Sequence, residues 1–150
     1  MDIKKRNDIP FSKSAAERKV YCRADKETIV FSFKNICSNS NYNFDCFKEN
    51  GIDKALYINE IFKKMQSLSS KTWNELYNLP KDKGFEYIYV KEFNQPFINS
   101  LPYVFGKDEK LIAVRFNGKS CRLIFKRGSK CGRVAQLLGI DLHLTLYKHV

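Results

Sequence analysis

Residues 111–126 read Leu-Ile-Ala-Val-Arg-Phe-Asn-Gly-Lys-Ser-Cys-Arg-Leu-Ile-Phe-Lys. Two β-forming runs, Leu111–Phe116 and Lys119–Lys126, flank Asn117-Gly118, the strongest short hairpin signal, because both residues accept the positive φ a tight turn needs. A two-residue loop would pair Phe116 with Lys119, Arg115 with Ser120, Val114 with Cys121 and Ala113 with Arg122. Side chains alternate across a strand. Ile112, Val114 and Phe116 then share a core face with Cys121, Leu123 and Phe125. Leu111, Ala113, Arg115, Ser120, Arg122, Ile124 and Lys126 take the other face, away from the helices. Arg115 and Arg122 become diagonal neighbours there. Two like charges side by side are costly unless an anion such as phosphate sits between them, or unless both are solvated.

Outward from the hairpin, Arg133–Ile140 reads as a further strand, with Leu142, Leu144 and Leu146 alternating beyond it. Glu86–Val90 is rich in β-formers. Pro96 and Pro102 make Gln95–Phe105 extended or edge-like. Thr28–Phe33 alternates and gives the first strand. Asp53 is a helix cap, followed by Ile58, Ile61, Phe62 and Met65 in one stripe, so a helix is expected over about 54–67. Thr72 and Glu75 fit a capping box for a second helix, with Ser69 or Ser70 as the alternative cap, Trp73, Leu76 and Tyr77 facing inward and Pro80 ending it. The two helices are expected to form an antiparallel hairpin. Residues 38–50 form a loop anchored by Tyr42, Phe44 and Phe47. The fold class is α+β: a helical hairpin on a mainly antiparallel sheet of four to six strands, with a basic arm over 1–26 and one domain over 27–150.

The chain has 150 residues, 43% apolar and 14% aromatic, which suits one domain with a sizeable core. Its net charge is +11. Residues 1–26 carry eight basic and four acidic side chains, 27–106 nine of each, and 107–150 ten basic and three acidic. The excess therefore gathers in the last third, the footprint of a polyanion partner. Apolar runs such as Val134–Ile140 fall far short of the ~20 residues a membrane span needs. No apolar run follows the basic start, so a secretory leader is not expected and the chain reads as cytoplasmic. Its five cysteines, Cys22, Cys37, Cys46, Cys121 and Cys131, form no CxxC pair and read as free thiols.

No phosphate loop, dinucleotide fingerprint, HExxH or carboxylate cluster is present, so no metal or cofactor is expected. Metal-free chemistry on RNA, carried by basic residues, is the enzymatic option left. The two histidines, His143 and His149, lie in the tail with Asp141 and Tyr147. If alternation continues, Asp141, His143, Thr145 and Tyr147 share a face. A histidine beside an acid moves protons near neutral pH, and a tyrosine stacks on a base. Lys119, Lys126, Arg127, Lys130 and Arg133, around the hairpin and the next turn, are the candidate nucleic-acid contacts.

The stretches TIVFSFKNI (28–36), KTWNEL (71–76), LIAVRF (111–116), SCRLIFKRG (120–128) and IDLHLTLYKH (140–149), in this order, resemble the RelE/ParE-like toxin superfamily and the phage and mobile-element proteins like it. The resemblance implies a β-α-α-β-β-β-β order and a concave sheet surface that holds mRNA, often on the ribosome. It implies metal-independent endoribonuclease activity, with Arg115, Arg122 and Lys126 stabilising the phosphate and His143 and Tyr147 handling protons or stacking. An acidic antitoxin would be the partner. The alternative is a non-enzymatic phage or mobile-element protein that modulates a host nucleoprotein complex.

Overall fold

The computed structural model describes residues 26–118 and 120–148. Most of the basic arm, Lys119 and His149 lie outside these. The described chain is α+β. Strand β1 (Val30–Ser32) is followed by helix α1 (Lys54–Ser69), helix α2 (Trp73–Tyr77), strand β2 (Glu86–Tyr89), helix α3 (Gln95–Asn99), and strands β3 (Lys110–Phe116), β4 (Cys121–Arg127) and β5 (Val134–Asp141). They build one five-stranded sheet in the order β1-β5-β4-β3-β2. Only β1 runs parallel to its neighbour, β5; the other pairings are antiparallel.

Local chemistry explains both long-expected helix starts. Asp53 accepts a hydrogen bond from the Leu56 amide at 3.1 Å and caps α1. Thr72 accepts from the Glu75 amide at 3.2 Å and caps α2. The stripe that α1 buries is Ile61, Met65 and Leu68. Ile58 and Phe62, expected on that stripe, are exposed, and so is Tyr77 of α2. With Phe33, Phe44 and Phe47, Ile58 and Phe62 line an apolar cavity of about 440 Å³.

The hairpin departs from the expected register. Phe116 stands opposite Cys121, Arg115 opposite Arg122 and Ala113 opposite Ile124, so the loop spans four residues rather than two. Asn117 (φ 50°) and Gly118 (φ 68°) still supply the left-handed turn, and the Ser120 hydroxyl closes it by donating to the Asn117 carbonyl at 2.8 Å. The slip is two residues, so each side chain keeps its expected face.

That second face is not solvated, which corrects the expectation of an open arginine-bearing surface. Leu111, Ala113 and Ile124 are buried there with Val90, Phe93, Phe97, Leu101, Leu138, Leu146 and Tyr147. The cover comes from α3 and the tail. Asn94 caps α3 through the Phe97 amide at 2.9 Å, and Pro96 sits in its first turn, where a missing N–H costs nothing. Pro96 thus helps start a helix in a segment expected to be extended. The first face carries the larger core, where Trp73, Leu76 and the α1 stripe meet Ile112, Val114, Leu123, Phe125 and Leu137. Leu137 and Leu138 are neighbours on β5 and serve opposite cores, and a β-bulge at Ile124/Phe125 leaves Leu138 without an opposite residue on β4.

Candidate functional site

At one end of the second face, three charged residues stand side by side across neighbouring strands: Arg115 on β3, Arg122 on β4 and Asp141 on β5. Glu86, on β2, projects onto the same face, since it pairs with Ala113 two residues from Arg115. Arg122 is only 5% exposed and Asp141 is fully buried. Charges this deep are tolerable only with partners. The Glu86 Oε1 atom lies 3.9 Å from Arg115 Nη2 and 3.9 Å from Arg122 Nε, and accepts the Tyr147 hydroxyl at 3.3 Å. Arg122 Nη1 donates to the Cys121 carbonyl at 3.0 Å.

The tail is brought there by Asp141. Its two carboxylate oxygens accept the amides of Thr145 (3.0 Å) and Leu146 (3.1 Å). Leu144 takes φ 57°, so the chain turns, and Tyr147 forms an antiparallel bridge with Phe93. Burial pushes the Tyr147 phenol up to about 12, the nearby Glu86 carboxylate adds to this, and Arg122 works against it. Tyr147 therefore keeps its proton at neutral pH.

Arg115 has capacity to spare. Its buried Nε makes no hydrogen bond among the described residues. It also lines a cavity of about 260 Å³ with Lys63, Lys64, Asn117 and Gly118. Burial lowers the Lys64 ammonium pKa. An anion entering this cavity meets three cationic side chains, and Glu60 and Asp82 line it as well.

His143 goes elsewhere. The turn held by Asp141 ends the expected alternation, so His143 and Tyr147 no longer share a strand face. His143 Nε2 lies 2.7 Å from Glu49 Oε2, in a polar cleft of about 710 Å³ lined also by Tyr42, Asp45, Lys48, Asp141 and Thr145. The structure thus brings together Arg115, Arg122 and Tyr147 and pairs His143 with a different carboxylate.

The candidate nucleic-acid contacts scatter. Lys126 lies 3.8 Å from Glu109 and over the Tyr103 ring. Arg127 donates from Nε to the Gly132 carbonyl at 2.9 Å and lies 4.8 Å from the Trp73 ring centre. Arg133 bonds the Thr28 carbonyl and, at 2.9 Å, Glu27. Lys130 is exposed on its turn. Sequence reasoning missed Glu86, whose signal was a lone acid inside the β-forming run EYIYV.

The thiols of Cys37, Cys46 and Cys121 are free and buried, and burial raises the pKa of each, to about 12 for Cys46. Cys131 is disulfide-bonded, which corrects the expectation that all five are free. Among the described residues no helix is long and apolar enough to cross a membrane. Compared with known protein families, characterised proteins and solved structures, the chain matches none.

Proposed function

We propose that this chain is an RNA-directed protein whose working centre is the Glu86–Arg115–Arg122–Tyr147 cluster, and that its activity is metal-independent RNA cleavage. One observation carries the reading: three of the five residues to which the RelE-like resemblance gives a role, Arg115, Arg122 and Tyr147, meet at a single carboxylate oxygen. In this mechanism Glu86 takes the proton of a ribose 2′-hydroxyl. The 2′-oxygen attacks phosphorus, and the bond to the 5′-oxygen breaks. Arg115 and Arg122 stabilise the charge that builds on the phosphoryl oxygens. Tyr147, protonated, is the hydrogen-bond donor at the same centre. The departing 5′-oxygen takes a proton from water, so the products are a 2′,3′-cyclic phosphate and a 5′-hydroxyl end. The order β1, α1, α2, β2 to β5 is compatible with a RelE-like arrangement, with α3 added before β3. A cytoplasmic setting and an acidic antitoxin as partner belong to the same reading.

A second reading is favoured by the engagement of the basic side chains within the chain itself. Arg122 is deeply buried, and Arg127 and Arg133 hold backbone carbonyls. In this reading the Glu86 cluster fastens the tail to the sheet, and the protein modulates a host nucleoprotein complex without catalysis. Incubation with labelled single-stranded RNA, with and without EDTA and with translating ribosomes, separates the two. Cleavage that survives EDTA, leaves cyclic phosphate ends and falls by about 100-fold or more in Glu86→Gln supports the first. Binding without cleavage supports the second.

A further inference from the structure

We infer that the outer edge of the sheet, β2 together with the end of α2, is a stacking track for the unpaired bases of a single-stranded nucleic acid. The inference rests on the nucleic-acid reading above but not on catalysis. β2 is the last strand of the sheet, and its alternation sends Glu86 to one face and Tyr87 and Tyr89 to the other. Both tyrosines are well exposed, Tyr87 at 46% and Tyr89 at 37%, and Tyr77 of α2 joins them at 43%.

These three rings are interleaved with cations. The Tyr77 and Tyr87 hydroxyls lie 2.8 Å apart, with ring centres 6.4 Å apart and planes tilted by 30°. Arg127 Nη1 donates to the Tyr77 hydroxyl at 2.9 Å. Lys110, which pairs with Tyr89 across the strands, holds Nζ 4.7 Å from the Tyr89 ring centre and 6.0 Å from that of Tyr87. Lys91 Nζ sits 5.2 Å from Tyr89 on the same strip.

This is the composition a single strand requires. Bases stack on aromatic faces whatever their sequence, and phosphates between them need cations a few ångströms away. An ammonium over a ring is held by the ring's quadrupole, and a phosphate can draw it off while a base takes its place on the ring. A duplex hides its base faces and cannot use the track. Glu86 lies on the same strand, so a strand crossing this edge passes from the tyrosines towards the carboxylate cluster.

The test is titration of the full chain with a fluorescent ten-nucleotide single-stranded RNA, its DNA counterpart and the matching RNA duplex. Tyr87→Ala and Tyr89→Ala are each expected to raise Kd for the single strands by about 5- to 150-fold. Tyr87→Phe and Tyr89→Phe keep the ring and should bind like the parent chain, which guards against a folding artefact. Lys110→Gln should reduce the dependence of log K on log salt by about 0.7. Weaker binding of the duplex, with both single strands sensitive to the alanine variants, supports the track. Parent-like binding by both alanine variants, or duplex binding as tight as single-strand binding, overturns it. A track that binds while Glu86→Gln changes no cleavage rate leaves this inference standing and removes Glu86 from catalysis. Failure of every oligonucleotide to bind removes the track and the nucleic-acid reading together.

Discussion

Asp141 shows how much one side chain can organise. It is fully buried, it stands opposite Arg122, and it accepts two tail amides. Replacing it by alanine leaves both amides without their acceptor, so Asp141→Ala is expected to cost about 3 kcal/mol in urea unfolding. Amide exchange of Leu146 should accelerate as well, because the turn that positions Tyr147 is lost. Tyr147 itself gives a pH signature. Its folded pKa of about 12 exceeds the unfolded value of roughly 10. The unfolded chain therefore loses this proton first, and the phenol's contribution to stability is intact below pH ~10 and is lost as pH rises towards ~12. Tyr147→Phe should flatten that alkaline slope in part, since Tyr87, also raised to about 12, remains. The three described free thiols, pushed up by burial, should resist iodoacetamide at pH 8 in the native chain and react once it is unfolded. At this scale the sequence revealed which residue types matter but not their company. Arg115, Arg122 and Tyr147 were visible as candidates. Glu86 was not, because its meeting with them depends on β2 pairing with β3, a contact between segments more than 20 residues apart.

At the scale of elements, capping chemistry was the most legible feature. Asp53 and Thr72 do what their positions announce, and Asn117-Gly118 turns the chain as expected. Thr72→Ala should cost about 1 kcal/mol in the same urea assay. Errors arose where a local rule had two outcomes. Pro96 reads equally as a strand breaker and as a residue of a helix's first turn, and only Asn94 as cap favours the second. The hairpin slipped as Ser120 joined the turn rather than the strand, its amide and its hydroxyl both donating to the Asn117 carbonyl. Packing between α3 and β5 offers a sharp test. A Cβ built at Gly139 would lie 2.6 Å from a ring carbon of Phe97, which is wholly buried. Gly139→Ala should therefore destabilise the chain by about 1–3 kcal/mol, and Phe97→Leu in the same chain should recover part of the loss.

For the whole molecule, hydrophobic periodicity made the α+β class legible but not helix α3. The covering of both sheet faces was the main surprise, and it had a physical cue in Leu111, Ala113 and Ile124, which put apolar side chains on a face also bearing arginines. An arginine on such a face is as consistent with an internal ion pair as with a solvated phosphate contact, and only the tail and α3 decide between them. The parallel edge has a further consequence, for the time course of folding. β5 lies between β1 and β4, and Val30 pairs with Val134 from more than 100 residues away. Until residues 134–141 are available, β1 has no neighbour and β4 has an open edge. Closing so long a loop before any reward in contacts slows folding. During synthesis the chain therefore completes its sheet late, and a ribosome-bound chain that stops before β5 exposes the β4 edge to other strands while Arg122 has yet to meet Asp141.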